Sequence, residues 1–579
     1  MIRIDDHKTP YIFDPFGHLG PKRRKQMEES WAGLFRKYIL TELPVEVLAK
    51  KFPSRTGHPT KEIYAMLGAL LIQQMFDLTD EETVEQFSFN IMWHYALDII
   101  DTSDDSSYVS LKTLWNMRQI VTVERLHDII FDKVTKKLTD SLKVSTDNQR
   151  LDSMHIVSNM RHLGRLGIFV ETIRKFLANL KRHHRPLLLE LDDELVARYL
   201  DRKQRNAFSM VKPSESRRKI KEVADDLFLL VERFRGHHQV AGRTSYQQMV
   251  RVLREQCLIE ESQDHEKQVV VRENKEVSSS SLQNPSDPDA GYDAHKGKGY
   301  QVQLAETYSE TKDEDDHRPL ALITYAEAEP AHHSDAQAVK PMLEKVVEQE
   351  HKPKQLLADS LYGSDDNCTF AQENGTELIA PTMGTPKDGF NTFTFADNGK
   401  VITCPAGHAP WRIHHNARKE RISACFQHRL CNTCELRDIC PTQHAKKGRY
   451  LRYRHKDIRL LRRRAFEQTD TFHQKYRFRS GIEATNSEID RRTGIKNIRY
   501  RGLLKVSYCT KLKAAALNIL RAAAYLRQKR EHNPDFQPQC EPMSMFLCFK
   551  ERFFGLKKKI YASLASRLND FSTGTALVV

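Results

Sequence analysis

The chain has 579 residues, with 91 Lys and Arg against 77 Asp and Glu, for a formal net charge of +14. This length exceeds what one hydrophobic core usually supports, so we expect two or three domains, and the basic excess favours a polyanionic partner. The N-terminus lacks the pattern of a signal peptide, and the longest apolar run (65–76) is shorter than the about 20 residues that span a bilayer. We therefore expect a cytoplasmic protein with no membrane partner.

Residues 1–140 predict a helical N-terminal domain. Apolar residues recur there at helical spacing after Pro59, namely at Ile63, Met66, Leu67, Leu70, Leu71 and Met75. Thr79 has the pattern of a helix cap, with acidic residues in the turn that follows it. Helix-turn-helix proteins and plain helical bundles share these features, so DNA binding by this domain is one of two open interpretations.

The next segments predict an α/β core that is interrupted once. Residues 145–159 predict a buried strand that carries Asp152, and residues 160–276 return to helical periodicity, which predicts a helical insertion. Residues 285–387 then alternate strands and helices, and Asp359 ends the apolar segment "KQLLAD". The order strand, strand, strand, helix, strand, helix, strand is that of the ribonuclease-H-like α/β fold. In that order the first and fourth strands are neighbours, so Asp152 and Asp359 are expected to meet at the edge where such sheets bind ligands.

Residues 388–448 predict a cysteine-rich β insertion. Asn398 and Gly399 form a preferred hairpin turn. Five of the ten cysteines of the chain lie in this segment, at Cys404, Cys425, Cys431, Cys434 and Cys440. The Cys-x2-Cys spacing is that of half a tetrahedral zinc site, and clustering in a reducing compartment favours metal over disulfides. Two interpretations stay open: a Zn²⁺ site, or reduced cysteines that pack a small β structure.

Residues 449–529 predict a basic helical part of the core, and residues 530–579 form a C-terminal tail of mixed pattern. Within the basic part, Tyr476, Arg479, Glu483 and Asp490 are spaced to share one helix face. Many basic residues surround this face, among them Arg491, Arg492, Arg499 and Arg501. This density of positive charge favours phosphate contacts, so we expect Glu483 to act within a DNA-binding surface. An ordinary i,i+4 ion pair between Arg479 and Glu483 is the alternative.

Several short segments resemble the signatures of DDE-type bacterial insertion-sequence transposases. Tyr476, Arg479 and Glu483 match the first three members of the Y-x2-R-x3-E-x6-K signature of the insertion-sequence-four kind. The segments "LDSMHIVSN" and "LLADSLYGS" resemble the two Asp motifs of those enzymes, and "CPAGH" with "CNTCELRDICPT" resembles the cysteine-rich insertion of the eleven-eighty-two family. The likeness covers roughly residues 30–525. Asp490 departs from it, since the signature has a lysine at that position.

The resemblance implies a metal-dependent DNA transposase. Its catalytic acids would be Asp152, Asp359 and Glu483, with Asp152 shared between two Mg²⁺ or Mn²⁺ ions and the other two completing one site each. Its substrate would be double-stranded DNA, at the element ends and in the target, with Tyr476 and Arg479 on the DNA end. Such enzymes generally act as homo-oligomers on DNA. Two other functions stay open: a catalytically inactive DNA-binding remnant, and a ribonuclease-H-like nuclease that cuts without joining.

Overall fold

The computed structural model describes residues 2–9, 11–12, 14–52, 59–212, 215–261, 267–310 and 319–532. The predicted C-terminal tail lies outside the described residues from 533 onward. Among the helices within those ranges, none is both long and apolar enough to cross a membrane.

The first part of the chain is helical. Its helices are α1 (Pro21–Glu28), α2 (Trp31–Leu34), α3 (Val45–Ala49), α4 (Ile63–Met75), α5 (Asp80–Phe89), α6 (Ile91–Leu97), α7 (Asp104–Ser107), α8 (Leu111–Val123) and α9 (Leu126–Leu142). Local sequence fixes two of the helix starts, because Glu62 accepts from backbone N–H groups of α4 and Thr79 forms a capping box with Glu82 of α5. α4 is apolar and buried along nearly its whole length, so it forms the centre of this region.

A long strand, β1 (Asn148–Val157), leads into the central sheet, and a helical segment then interrupts the sheet. This segment contains α10 (Arg165–His183), α11 (Arg185–Leu189), α12 (Asp193–Leu200), α13 (Arg202–Ala207), α14 (Ser216–Phe234), α15 (His238–Ala241), α16 (Thr244–Gln256) and the hairpin of β2 (Cys257–Glu261) and β3 (Lys267–Val271). Its helices share a hydrophobic core of their own, which includes Phe169, Phe176, Leu227 and Met249. The segment is therefore a separate packing unit.

The chain then returns to complete the central sheet. The returning elements are β4 (Gly291–Asp293), β5 (Gly297–Thr307), β6 (Ile323–Pro330), α17 (Val339–Glu348), β7 (Gln355–Leu357), α18 (Asp365–Glu373) and β8 (Glu377–Ile379). Within the described ranges the strand order is β4-β5-β1-β7-β8, and β6 also pairs with β5. β1 runs antiparallel to β5 and parallel to β7. The strand that precedes Asp359 therefore lies beside the strand that carries Asp152, as the order of elements predicts.

A smaller β structure follows. It contains β9 (Thr394–Phe395), β10 (Val401–Thr403), β11 (Arg412–Asn416), β12 (Arg421–Phe426), α19 (His428–Asn432), β13 (Gln443–Ala445) and β14 (Gly448–Tyr453). β9 and β10 form the hairpin predicted around Gly399, whose φ is +76°. The other strands pair antiparallel in the order β11-β12-β14-β13 over a small core that includes Phe390, Phe426 and Leu451.

Helices form the last described part of the chain: α20 (His455–Glu467), α21 (Asp470–Tyr476), α22 (Gly481–Thr493) and α23 (Leu503–His532). A 3-10 turn over Arg477–Ser480 separates α21 from α22, so the continuous helix predicted from Tyr476 to Asp490 is wrong. The cause is a tertiary contact. The Phe478 carbonyl accepts from the Gly481 N–H three residues on and from Arg150 Nη1 of β1 at 2.7 Å, which holds the tighter turn in place.

α23 joins the N-terminal helices to the central sheet. It packs against α4, α9 and β6, and the largest hydrophobic cluster runs through all of these elements, with Leu70, Val134, Val302 and Leu512 among its members. The opposite face of the sheet is covered by α17 and α18. The N-terminal helices and the central sheet therefore share one core, and we expect them to unfold together.

Candidate active site

The three predicted acids come together beside the carboxyl end of β7. Asp152 lies in β1, Asp359 lies two residues after β7, and Glu483 lies in the first turn of α22. We call these three residues the acid cluster. Their side chains are 14 %, 30 % and 64 % exposed, respectively. The cluster therefore extends from the sheet to the surface, where a large substrate has access to it.

Arg479 lies among the three carboxylates. Its Nη2 is 3.3 Å from Asp152 Oδ1 and 3.9 Å from Asp359 Oδ2. Its Nη1 donates to Glu483 Oε1 at 2.9 Å. One guanidinium thus supplies the positive charge that offsets the repulsion between the acids. The i,i+4 ion pair considered from the sequence is present, but as one contact of a larger cluster.

Asp152 is the most enclosed member of the acid cluster. Burial raises the pKa of its carboxyl, an effect that Arg479 opposes and the charge of Asp359 reinforces. Asn486 Nδ2 donates to Asp152 Oδ2 at 3.2 Å, and Asn486 Oδ1 is buried without a hydrogen-bond partner among the described residues. Sequence reasoning missed Asn486, although its place three residues after Glu483 puts both side chains on one face of α22.

The donor atoms of the acid cluster are hard oxygens, which suit Mg²⁺ or Mn²⁺. In the part of the chain that the structure describes, no group of three or more His, Cys, Asp or Glu side chains is arranged to hold a metal ion as it stands. In the acid cluster, the Arg479 guanidinium lies between the carboxylates and occupies the place that a metal ion would take. The unpaired Asn486 oxygen and the raised pKa of Asp152 both mark a place where a further cation is favourable. The residues therefore fit a divalent cation if the Arg479 side chain moves aside.

Tyr476 borders the acid cluster. Its ring stacks on Phe472 with the ring centroids 5.2 Å apart. Burial raises the pKa of its phenol, Arg479 opposes the shift, and the charges of Asp359 and Asp152 add to it. Tyr476 therefore stays protonated and keeps a hydrogen-bond donor next to the acids.

The four arginines that follow Glu483 and are predicted to belong to the DNA-binding surface differ in what they contact. Arg491 and Arg492 are exposed on the last turn of α22. Arg499 donates from both Nη atoms to Asp77, and Arg501 donates to a backbone carbonyl just after β1. Arg499 and Arg501 thus connect distant segments of the fold. Arg491 and Arg492 lie at the surface at the opposite end of α22 from Glu483, and Arg492 Nε donates to Glu488 Oε1 at 2.8 Å.

Arginines of α20 also have structural partners. Arg459 donates two hydrogen bonds to Asp365, and Arg463 donates to the carbonyls of Gly363 and Ala380. These contacts dock α20 against α18 and the end of β8. Arg459 and Arg463 therefore have a structural role in this segment, and the phosphate contacts of its basic residues stay a prediction.

Asp490 stands where the signature has a lysine. Its Oδ1 accepts from the Lys496 backbone N–H at 3.1 Å, and its Oδ2 lies 3.8 Å from Lys496 Nζ. Its carbonyl accepts from Gly494, which ends α22 with a φ of +63°. Asp490 closes the turn after α22, which gives this position a structural role in the chain.

Four of the five predicted cysteines line one cavity of about 30 Å³, namely Cys404, Cys431, Cys434 and Cys440. We call these four the cysteine cluster. Burial raises the pKa of the Cys431 thiol, Arg449 opposes the shift, and the other three thiols reinforce it. Cys425 is not among the lining residues, and it is 2 % exposed and accepts a hydrogen bond from Trp411 Nε1 at 3.1 Å. The structure thus separates Cys425 from the other four.

Two segments of the chain match models of known protein families. Residues 403–523 match a family described as Transposase DDE domain, and residues 26–119 match one described as Transposase domain (DUF772). The first match includes the cysteine cluster, Arg479 and Glu483, and it begins after Asp152 and Asp359. No curated protein matches the chain. The two matches support a DDE transposase that acts on DNA, and the first implies a ribonuclease-H-like core.

Proposed function

We propose that this protein is a DNA transposase that cleaves the ends of an insertion sequence and transfers them to target DNA in a metal-dependent reaction. The observation that carries the proposal is the convergence of Asp152, Asp359 and Glu483 around one guanidinium. Two segments that match transposase domains support it. The first two acids come from parallel neighbouring strands, where α/β sheets commonly place their reactive groups.

The acid cluster would hold Mg²⁺ or Mn²⁺ through its carboxylate oxygens, and Asp152 would be fixed for this task by Asn486. A divalent ion held there would supply the positive charge that activates an attacking water and stabilises the leaving oxygen of the phosphodiester. When the acids are occupied by a cation, Arg479 no longer has to neutralise them. Its guanidinium is then available to a DNA phosphate, which it binds bidentately, and the Tyr476 phenol next to it can donate to the same strand.

The remaining assignments belong to the same proposal. Residues 1–140 would form a helical domain that contacts DNA, residues 160–276 and 388–448 would be insertions into the core, and residues 449–529 would carry the third acid. The exposed Arg491 and Arg492 would extend the DNA contact beyond Glu483. The protein would act in the cytoplasm as a homo-oligomer on DNA.

We also propose that the cysteine cluster binds one Zn²⁺. Four thiols line a single small cavity, which is the ligand number of a structural zinc site, and two of them have Cys-x2-Cys spacing. Among the described residues no three of them are arranged to hold an ion as they stand, so the thiols would have to turn toward the metal when it binds. The core below them is small, so a metal cross-link would contribute directly to folding of this segment. The proposal leaves Cys425 out of the site.

The function is tested with purified protein, DNA carrying the element end, a supercoiled target plasmid, and Mg²⁺ or Mn²⁺. We expect cleavage at the end and a joined product. Asp152→Asn should reduce cleavage by roughly 10³-fold or more while end binding is retained, because the carboxylate acts on the reaction and not on DNA affinity. Asp366→Asn is the matched control, since Asp366 is 75 % exposed on α18 and pairs only loosely with Lys456 at 3.7 Å.

The products distinguish the three candidate functions. Joined product with the wild type, lost in Asp152→Asn, supports a transposase. Cleavage without joining indicates a nuclease of the same fold. End binding without any cleavage indicates an inactive remnant. Full cleavage by Asp152→Asn would remove Asp152 from the catalytic set.

A further inference from the structure

Glu306 is a fully buried carboxylate that faces the strand of the first acid. Its side chain is 0 % exposed, and it lies on β5 directly opposite Arg150 of β1. Arg150 Nε donates to Glu306 Oε1 at 2.7 Å. Because strand side chains alternate between faces, Arg150 lies on the same face of β1 as Asp152. The pair therefore anchors β1 two residues before the first acid.

The other oxygen of Glu306 is bound by the elements that carry and support Glu483. Thr485 Oγ1 of α22, two residues after Glu483, donates to Glu306 Oε2 at 2.6 Å. Arg521 Nη1 of α23 lies 2.9 Å from the same oxygen, and its Nη2 donates to Thr485 Oγ1 at 2.6 Å. Arg521 also forms an ion pair with Glu488 of α22 at 2.8 Å. One carboxylate thus connects β1, β5, α22 and α23.

Arg150 holds α22 from the turn that precedes it. Its Nη1 donates to the Phe478 carbonyl in the turn before α22. Gly481, the first residue of α22, leaves room for this guanidinium, since a Cβ there would lie 1.9 Å from Arg150 Nη1. Contacts at Phe478 and at Thr485 therefore fix α22 on both sides of Glu483.

The chemistry of this network favours positioning over stability. Buried ion networks carry a large desolvation cost, and well-packed apolar residues of similar volume are often at least as stable. Burial lowers the pKa of Arg521, but Glu306 and Glu488 outweigh it and raise the pKa overall, so the group stays charged. Charged hydrogen bonds fix direction as well as distance, which apolar packing does not.

We infer that Glu306, together with Arg150 and Arg521, is a positioning residue that sets the place of Glu483 relative to Asp152. The inference rests on the proposed function, because it takes Asp152 and Glu483 as ligands of one metal centre. Groups that orient metal ligands typically change metal affinity by about 10- to 100-fold when they are lost. Loss of the Glu306 contacts should therefore weaken metal binding through Glu483.

The test is a double-mutant cycle on the full chain, with Mn²⁺ alone as the probe and its affinity measured by calorimetry. Glu306→Gln should weaken Mn²⁺ binding by about 10-fold in the wild-type background. In the Glu483→Gln background the same change should have an effect of less than about twofold, because the ligand that it positions is already gone. Thr485→Val keeps the shape and removes the hydroxyl that donates to Glu306 and accepts from Arg521. It should give the same pattern at about threefold, and it serves if Glu306→Gln does not fold.

Asp226→Asn is the control for a purely structural role. Asp226 accepts from Tyr199 at 2.6 Å and pairs with Arg198 in the separate helical segment. This variant should unfold at a lower temperature with unchanged Mn²⁺ affinity. Equal losses from Glu306→Gln in both backgrounds, or no loss in either, would overturn the inference. Unchanged Mn²⁺ affinity in Glu483→Gln would instead overturn the proposed role of Glu483.

Discussion

The acid cluster and the cysteine cluster are built in opposite ways. Asp152, Asp359 and Glu483 come from three distant parts of the chain. They meet because β1 pairs with β7 and because α22 packs on the sheet, where Thr485 donates to Glu306. The cysteine cluster comes from residues 404–440 on one small β structure with its own core. The first cluster therefore depends on the whole fold, and the second depends on a local fold that has few other means of stabilisation. Perturbations of one should leave the other largely intact.

The largest effect is expected in the cysteine cluster. Replacing Cys431 and Cys434 together by Ser removes half of the proposed ligands, so bound zinc should fall from about one ion per chain to none. Because metal binding and folding are coupled in such sites, amide hydrogen exchange should become fast in β11–β14. Exchange in β1 and β5 should not change, and zinc content and exchange would be measured on the same preparation.

Cys425→Ser is the matched control for that experiment. Cys425 lies on β12 in the same small sheet, but it is hydrogen-bonded to Trp411 and does not line the cavity. It should retain zinc and slow exchange. Zinc retained by the double variant would leave the alternative that these are reduced cysteines packing a β structure.

The N-terminal helices and the central sheet, which share one core, should change in stability with pH through His7. His7 Nδ1 lies 2.8 Å from Asp98 Oδ2, and its Nε2 lies 3.5 Å from Glu62 Oε2. Burial lowers the pKa of His7, but the two carboxylates raise it from 6.5 to about 9. A raised histidine pKa stabilises the folded state fully below the unfolded value of 6.5, and this stabilisation is lost as the pH rises through about 9. The free energy of unfolding should fall by up to about 3 kcal/mol across that window.

The measurement is denaturant unfolding of the wild type and of His7→Gln. The two proteins should differ most near pH 6 and converge above about pH 9, because only the wild type loses a proton there. The small sheet of the cysteine cluster should show no such dependence in hydrogen exchange. A difference between the two proteins that does not change with pH would mean that His7 acts by packing and not by charge.

The different construction of the two clusters also decides how far the sequence predicts them. The pairing of the strand that carries Asp152 with the strand that precedes Asp359 follows from the order of elements, because the rules for strand connections allow only a few topologies. The turn at Arg477–Ser480 depends on Arg150 in a strand far away, so helical periodicity has no information about it. Glu306 has the same limitation, since in sequence it is only a polar residue at the end of a strand and its partners come from three other elements. The exclusion of Cys425 from the cysteine cluster depends on how β12 pairs with its neighbouring strands. The spacing of the cysteines in the sequence carries no information about that pairing.

Gly481→Ala tests the dependence of the acid cluster on distant contacts. The added Cβ would lie 1.9 Å from Arg150 Nη1, and Glu306 and the Phe478 carbonyl already hold that guanidinium. Arg150 or α22 must therefore shift, and the free energy of unfolding should fall by about 1–2 kcal/mol. Gly236→Ala is the control, since no atom lies within 4 Å of its added Cβ, and it should change stability by less than about 0.5 kcal/mol. Equal stabilities of the two variants would show that Arg150 is free to move.

The smallest effect is expected from Arg479→Gln. The guanidinium competes with a metal ion for the acid cluster, so its removal should raise the affinity for Mn²⁺ by about threefold in the absence of DNA, in line with the modest strength of partly exposed ion pairs. The affinity for end DNA should fall, because a phosphate contact is lost. Zinc content should stay the same, since the cysteine cluster has no part in this competition.

Arg477→Gln separates competition from a general effect of charge. Arg477 is exposed two residues before Arg479 and stacks over the Phe478 ring, so its loss changes the net charge equally without removing a group from between the acids. Its affinity for Mn²⁺ should match the wild type. If Arg479→Gln binds Mn²⁺ more weakly than the wild type, the guanidinium orders the carboxylates for the metal instead of occupying its place. In that case Arg479 belongs with Glu306 among the groups that position the acid cluster, and the metal would have to bind beside the arginine.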